Sequence, residues 1–566
     1  MIKKIIPATI LSDFYKITHR MFYPDNTTEI YSTWTPRSSE HFTVPTKYAV
    51  AFAFQMFVQK YLINYFNDNF FSRPKEEVIA EYVYVIQNTL GGDVDSSHIA
   101  ALHDLGYLPL EIKALPEGTK VPIKIPTLTI RNTEPDFFWL TNYLETIMSS
   151  ELWLPSNSAT TASHYRALID EYAIKTTGST AGAEFQGHDF SFRGMSGLDS
   201  AVASGLGHLL SFAGTDNIPA IVGAEMYYGA DLSKELVGTS VPATEHSIMS
   251  SFGRDEEAAF NTIIDRVPSG IVSIVSDTYD FWNVLSTIIP SLKDKIMARD
   301  GRVVLRPDSG NPVDIICGTL HVDLNLNAFQ KTEALSLWDF KEEIQAYLEE
   351  SLAKERPYYN QRSYISLHCD GEFFSIPWER TAGIVAVDYD QIEKLENQTP
   401  EQKGAIQMLW ETFGGTMSEQ GFKMLDSHIG LLYGDAITLE RARTIFDKLG
   451  AKGFASTNVL YGIGSFSYQF STRDSLGYAL KATYAKIDGK ETFIQKDPKT
   501  DTANLKKSLT GKVAVVRDEE NGLKVIDHLN DAQEEAFEGN LLQTIFKDGK
   551  AYNKITFAQV KQNLMA

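Results

Sequence analysis

The chain has 566 residues, roughly three to four folding units at about 150 residues each, which excludes a peptide, a single small module and a disulfide miniprotein. It is 43% hydrophobic and 22% charged, and its 52 basic against 73 acidic residues give a net charge of -21, which opposes broad binding to nucleic acid or an anionic membrane because both need a cationic field. Cys317 and Cys369 are the two cysteines, too few for a disulfide framework or a thiolate zinc site, and any anionic ligand must be held by a local group of cations.

At the N-terminus Lys3 and Lys4 precede a short apolar stretch that Pro7 breaks and Asp13 ends, so no signal-peptide core is completed. No apolar run approaches the ~20 residues of a membrane span. A cytoplasmic setting is expected. Further on, His188-Asp189-Phe190-Ser191-Phe192-Arg193-Gly194 sets an aromatic and an arginine in a polar run closed by glycine, the make-up of a ligand loop. Gly214-Thr215-Asp216 follows an apolar helix-like segment; Asp216 reads either as a turn residue or as an acceptor for a ligand amide. In Ser240-Val241-Pro242-Ala243-Thr244-Glu245-His246-Ser247, Pro242 fixes the loop and His246 adjoins an acid able to orient its ring. A histidine titrating near neutrality serves as base, proton shuttle or phosphate acceptor, although a single histidine is more often structural.

Three strand-and-helix units come next. Residues 271–275 form a buried-strand run ending in Ser276 and Asp277, with helical spacing over 279–288. Residues 303–305 repeat the pattern and end in Arg306-Pro307-Asp308-Ser309-Gly310-Asn311-Pro312, before a helix reaching about residue 320. Residues 429–432 do so again, ending in Gly434 and Asp435 before a helix over 439–449. Such alternation predicts an α/β architecture built on a parallel sheet or barrel, whose ligands sit at the carboxyl ends of the strands. Asp277, Asp308 and Asp435 would converge there; the alternative is that each caps the helix that follows.

Residues 323–427 lose this pattern. Leu337, Phe340, Ile344, Tyr347 and Leu348 share one helical face, and Thr399, Pro400 and Gln402 carry the signals of an N-cap, a first-turn proline and a capping box. The segment reads as an insertion that packs rather than catalyses. Residues 478–566, lysine-rich around 496–512, carry the Gly and Asp signals of short strands and exposed loops.

Common nucleotide signatures fail. Gly511-Lys512 is followed by Val513, so there is no P-loop; Gly205 and Gly207 lack their third glycine at Leu210, as Gly462 and Gly464 do at Ser467. Gly414-Gly415-Thr416 imitates a type I phosphoribosyltransferase loop without its paired acids. The twelve histidines show no metal-ligand spacing.

Asp13-Phe14-Tyr15-Lys16, residues 190–194, Gly214-Thr215-Asp216, residues 240–247, 275–280 and 306–312, and Thr472-Arg473-Asp474 together resemble the nicotinamide phosphoribosyltransferases of the type II phosphoribosyltransferase family. Order and spacing match over most of residues 13–515; the length of 323–427 is the main departure. The resemblance implies a TIM-like α/β barrel over 156–322 and 428–475. Flanking it would be an α+β domain built from 1–155 and 476–566, with 323–427 inserted. It implies a homodimer with shared active sites. The reaction implied condenses nicotinamide with phosphoribosyl pyrophosphate to nicotinamide mononucleotide and pyrophosphate in NAD salvage. Mg2+ would be the cofactor, and ATP a stimulatory co-substrate that phosphorylates His246.

By the same resemblance, Phe190 and Tyr15 of the partner subunit sandwich the pyridine ring, while Arg193 and Asp216 address the carboxamide with Asp13 of the partner subunit nearby. Ser240, Ser273, Gly434, Asp435, Gly464 and Ser465 complete the substrate contacts. His246, Asp308, Asp277 and Arg306 form the catalytic group, with the metal on Asp308 and Asp277. Arg37, Arg473, Lys481 and Lys496 join Arg306 on the phosphates. Gly462-Ile463-Gly464-Ser465-Phe466 stands where the family has a glycine cluster. A carboxylate at Asp216 favours the neutral amide, since nicotinate would bring two anions together. The rival readings are a nicotinate phosphoribosyltransferase and a non-catalytic nicotinamide-binding protein. Without the resemblance, a metal-dependent barrel enzyme acting on another sugar phosphate also remains.

Overall fold

The computed structural model describes residues 5–319, 321–324, 341–353, 361–369, 372–381, 384–434, 437–496, 508–520 and 522–566. They group into two units, one of residues 167–187 and 240–463, the other of residues 1–166, 188–239 and 464–566.

The unit of 167–187 and 240–463 is α/β. Its strands β1 (Ser269–Val275), β2 (Asp300–Arg306), β3 (Ile429–Tyr433) and β4 (Val459–Ile463) lie side by side in chain order, and each adjacent pair is parallel. The run Ile-Gly-Leu-Leu-Tyr of β3 is buried throughout, as a parallel sheet covered on both faces requires. Register places Val303 against both Val272 and Ile429, so the three predicted strand runs become neighbours whose carboxyl ends lie together.

Helices follow as expected, with two adjustments. The stretch after β1 is helical from Phe281–Asn283 through Val284–Ile288 to Ile289–Ser291, starting later than the spacing indicated because Asp280 accepts a hydrogen bond from Asn283 N–H and sets the first turn. The helix after β2 stops at Pro312–Cys317, short of residue 320, because Gly318 turns the chain at φ +86°. A Cβ there would lie 2.2 Å from the Gln402 carbonyl oxygen, an approach that only glycine permits. Helix Leu439–Ala451 matches its expected span.

Within the insertion, Thr399 and Gln402 form the capping box of Pro400–Lys403. Strands also appear that the sequence reading did not name: Gln361–Cys369 pairs parallel with His321–Leu324 and antiparallel with Glu372–Thr381. Helix Lys341–Ala353 contributes Ile344 and Leu348 to a small core with Ile365, Ile376, Trp378 and Val385. Ile365-x-Leu367-x-Cys369 carries the two-residue alternation of a half-buried strand, a signal that a search for helical spacing passes over. Leu337 and Phe340 lie outside the described residues.

In the other unit, N- and C-terminal segments share one sheet. Ala479–Ile487 pairs with Thr27–Thr35, which pairs with Leu128–Asn132; Leu110–Ala114 comes next, followed by Gln543–Lys547 and, at the edge, Lys550–Ala551. Helices Leu198–Leu209 and Ile218–Tyr228 pack through Leu206, Leu209, Ala220 and Ala224 into a core with Phe52, Phe557 and Leu564. Among the described residues no helix is long and apolar enough to cross a membrane.

Lys512 is a fixed point of this unit. Its side chain is 1% exposed, its ammonium lies 2.7 Å from Glu29 and 2.5 Å from Asp531, and it rests over the ring of Tyr484. Removing one member of a buried ion group strands the others in low dielectric, so Lys512→Met, which keeps most of the alkyl stem, is expected to cost about 3 kcal/mol. A thermal melt checks this; an unchanged midpoint would mean the ammonium adds nothing net.

Candidate active site

At the carboxyl ends of β1 and β2, one acidic side chain organises the surroundings. Asp277 Oδ2 accepts hydrogen bonds from Asp308 N–H at 2.9 Å, Ser309 N–H at 2.8 Å and the Ser309 hydroxyl at 2.5 Å. The side chain is 5% exposed, and Oδ1 is buried with no hydrogen-bond partner among the described residues. Asp308 lies 3.3 Å from His246 Nε2 through Oδ1 and 3.3 Å from Arg306 Nη1 through Oδ2. His246, Asp277 and Asp308 each offer a ligand atom, all within 4.8 Å of one another.

This donor set fits a hard divalent cation. Two carboxylates supply oxygens, one oxygen is already stripped of hydrogen bonds, and the adjoining imidazole is 47% exposed. Neither acid is spent on capping: the cap side chains of the following helices come from Asp280 and Asn311. Asp435 lies outside the described residues.

Residues 242–244 run alongside β1 and place His246. Ser273 N–H donates to the Pro242 carbonyl at 2.9 Å, and Thr244 N–H to the Ser273 carbonyl at 3.0 Å. The Thr244 hydroxyl accepts from Val275 N–H, and its carbonyl from Arg306 Nη2 at 2.9 Å. Thr244 and Thr278 therefore matter here although the sequence reading gave them no role. Thr278 Oγ1, 3.1 Å from His246 Nδ1, together with Asp308 orients the imidazole; Glu245 instead takes the Ser247 hydroxyl. Ser273 Oγ is buried without a hydrogen-bond partner among the described residues, and Ser240 is exposed. Gly434 sits so close that a Cβ would lie 3.1 Å from Asp308 Cβ and 3.3 Å from Arg306 Nη1.

The unit of 1–166, 188–239 and 464–566 holds the remaining candidates. Strand Gly187–Asp189 runs parallel to Gly214–Thr215. Buried Asp189 accepts from Ser191 N–H at 2.8 Å, an Asx turn that presents half-buried Phe190 and leaves Arg193 exposed. Asp216 accepts from His188 Nε2 at 2.9 Å, while the cap of helix Ile218–Tyr228 is Asn217. Burial pushes the pKa of His208 down to about 4, so the neutral ring donates from Nε2 to the Gly214 carbonyl and accepts the Tyr468 hydroxyl at Nδ1. Ser465 packs against Gly194, where a Cβ would stand 2.1 Å from Ser465 Oγ; Gly464 has open space about it.

The same unit carries the cations. Lys481, opposite Thr33 in the sheet, has its pKa lowered by burial, with Arg37, Lys496 and Lys16 acting in the same direction against Glu145. Burial and the charge of Arg473 likewise lower Arg37. Mutually destabilised cations favour a polyanion. Near the N-terminus Asp13 takes the Thr146 hydroxyl at 2.7 Å, Lys16 pairs with Glu145 at 2.5 Å, and Tyr15 between them is 58% exposed.

The family model for the nicotinate phosphoribosyltransferase (NAPRTase) family matches residues 185–339 and 387–550. The chain belongs to this family. It is an enzyme that transfers a phosphoribosyl group, a glycosyltransferase. A nicotinamide phosphoribosyltransferase of Acinetobacter baylyi is 42% identical over 564 residues, covering 98% of this chain and 96% of the relative. One of Mycoplasma pneumoniae is 29% identical over 517 residues, covering 88% and 94%. The crystal structure of human nicotinic acid phosphoribosyltransferase shares the fold, with a TM-score of 0.50 at 14% identity over 98% of this chain and 93% of that one.

Asp277→Asn retains an oxygen for the three donors but would turn an amide toward any cation held by this group. Magnesium affinity, measured by titration calorimetry, is expected to fall by about tenfold or more, which is about 1.4 kcal/mol. Equal affinity would remove Asp277 from the metal-ligand role.

Proposed function

We propose that this chain is a nicotinamide phosphoribosyltransferase that joins nicotinamide to phosphoribosyl pyrophosphate, releasing nicotinamide mononucleotide and pyrophosphate, in NAD salvage. The observation that carries the choice of base is Asp216, a carboxylate touched by the same imidazole that packs on Phe190. A carboxamide donates N–H to that group, whereas a pyridine carboxylate would meet it as a like charge. The named activity of the relatives in Acinetobacter baylyi and Mycoplasma pneumoniae supports the same reading.

In the reaction the pyridine nitrogen supplies the electron pair that forms the new bond at the ribose anomeric carbon, while the bond from that carbon to pyrophosphate breaks and its electrons leave with the oxygen. No protein nucleophile is required. Phe190, with Tyr15 of the partner subunit in a homodimer, holds the ring by stacking, a contact worth about 0.5 to 1.5 kcal/mol per aromatic pair beyond burial. Arg193 and Asp216 set its rotation about the stack, and Asp13 of the partner subunit stands near the amide. Ser240, Ser273, Gly434, Asp435, Gly464 and Ser465 complete the substrate contacts. Arg306, Arg37, Arg473, Lys481 and Lys496 hold the phosphates of a donor that this acidic chain would otherwise repel. Asp277 and Asp308 would hold Mg2+, which would supply positive charge to offset that developing on the leaving pyrophosphate. Holding reactants in line and stabilising the leaving group account for catalysis.

ATP acts as a stimulatory co-substrate through phosphorylation of His246, whose half-exposed ring is open to a phosphoryl donor. The work takes place in the cytoplasm. A side-by-side assay of nicotinamide and nicotinate, each with and without ATP, tests the whole reading; turnover of nicotinate alone would overturn it.

Asp216→Ala is expected to lower kcat/KM for nicotinamide by roughly tenfold to a hundredfold, the range of one hydrogen bond to a charged group, and to narrow the preference over nicotinate. Unchanged selectivity would take Asp216 out of base recognition. His246→Ala is expected to abolish ATP stimulation and leave basal synthesis; full acceleration of the variant by ATP would rule out the phosphohistidine step.

A further inference from the structure

Residues two apart along a strand point to the same face. In the parallel pair, His188 lies opposite Gly214 and Asp189 opposite Thr215, so His188 and Asp216 share a face with Gly214 between them. Gly214 has no side chain, and the imidazole crosses the space to bring Nε2 within 2.9 Å of Asp216 Oδ1. Asp216 N–H donates to the Asp189 carbonyl at 3.0 Å, tying the backbone of the acid to the strand that bears the histidine. The His188 side chain is 11% exposed, whereas the Asp216 side chain is 48% exposed: a largely buried donor holds an acceptor that faces outward. The same imidazole packs on Phe190, with ring centroids 4.6 Å apart and planes at 39°.

We propose that His188 is a specificity-determining positioning residue, fixing the Asp216 carboxylate and the Phe190 ring in the arrangement that separates a pyridine carboxamide from a pyridine carboxylate. This rests on the reading that Asp216 addresses the carboxamide. An outward-facing carboxylate with free side-chain torsions spreads its charge over many positions, and its repulsion of a ligand anion weakens with distance. The hydrogen bond from the buried ring restricts that freedom. The donor's chemistry matters as well. An imidazole orients the carboxylate through a single N–H, whereas the permanent cation of a lysine or arginine in its place would neutralise the acid and admit the competing anion.

The test measures kcat and KM for nicotinamide and nicotinate in the full-length protein and in His188→Ala, His188→Gln, Asp216→Ala and the His188→Ala/Asp216→Ala double variant. Glutamine places an amide N–H near the position of Nε2. His188→Ala is expected to raise KM for nicotinamide about tenfold with kcat within about twofold of the parent, and to reduce selectivity toward that of Asp216→Ala. His188→Gln restores most of both, and the double variant is no less selective than Asp216→Ala alone. The proposal is overturned if His188→Ala keeps the parent KM and selectivity while Asp216→Ala loses them. It is equally overturned if the alanine and glutamine variants both lose kcat and melting temperature with selectivity intact, the mark of a purely structural histidine. If Asp216→Ala itself leaves selectivity unchanged, the carboxamide reading falls, and the role of His188 falls with it.

Discussion

A carboxylate offers two oxygens, and at Asp277 three donors converge on one of them. The Asp308 amide, the Ser309 amide and the Ser309 hydroxyl saturate Oδ2, leaving Oδ1 buried without a hydrogen bond among the described residues. Desolvating a bare carboxylate oxygen is costly unless a cation or a ligand donor completes it. The same three bonds fix the turn that carries Asp308, and Asp308 in turn meets Arg306 and His246. Charge, turn and imidazole orientation thus depend on one side chain at the end of one strand.

That dependence is possible because capping has been delegated. Asp280 opens the helix after β1, Asn311 the one after β2 and Asn217 the one after Gly214–Thr215. Each cap lies one to three residues beyond the acid at the strand end. Asp277, Asp308 and Asp216 are thereby released for other partners, whereas an acid bound to a helix N-terminus would have spent its oxygens on backbone amides.

An enzyme with net charge -21 must concentrate its cations to hold a polyanionic donor. Burial above all lowers the pKa values of Lys481 and Arg37; neighbouring cations act in the same direction, and Glu145 and Asp474 act against them. A bound phosphate group would relieve that tension, so a cost carried by the fold becomes affinity for the ligand. Elsewhere in the same unit, Lys512 with its two carboxylates shows the contrasting arrangement, a buried cation already paired.

How much of this is legible in the chain divides along physical lines. Local order is written locally: apolar runs gave the positions of β1, β2 and β3, capping signals gave Pro400–Lys403, and the motif strings 190–194, 214–216, 240–247 and 306–312 fall in or beside strands. Strand positions and caps depend on residues within a few positions of one another, and sequence alone determined them. Partners were another matter. That His246 is oriented by Thr278 and Asp308 rather than by Glu245, that Thr244 runs along β1 beside Ser273, and that His188 reaches Asp216 across Gly214 follow from strand register. Register brings together residues 28 to 62 positions apart. The insertion's small sheet lay hidden because its two-residue alternation acquires meaning only once a second strand lies beside it. Sequence therefore determined the family, the strands and the chemical groups at their ends; tertiary structure alone decided which oxygen of each acid is occupied, because hydrogen-bond saturation belongs to neighbours in space.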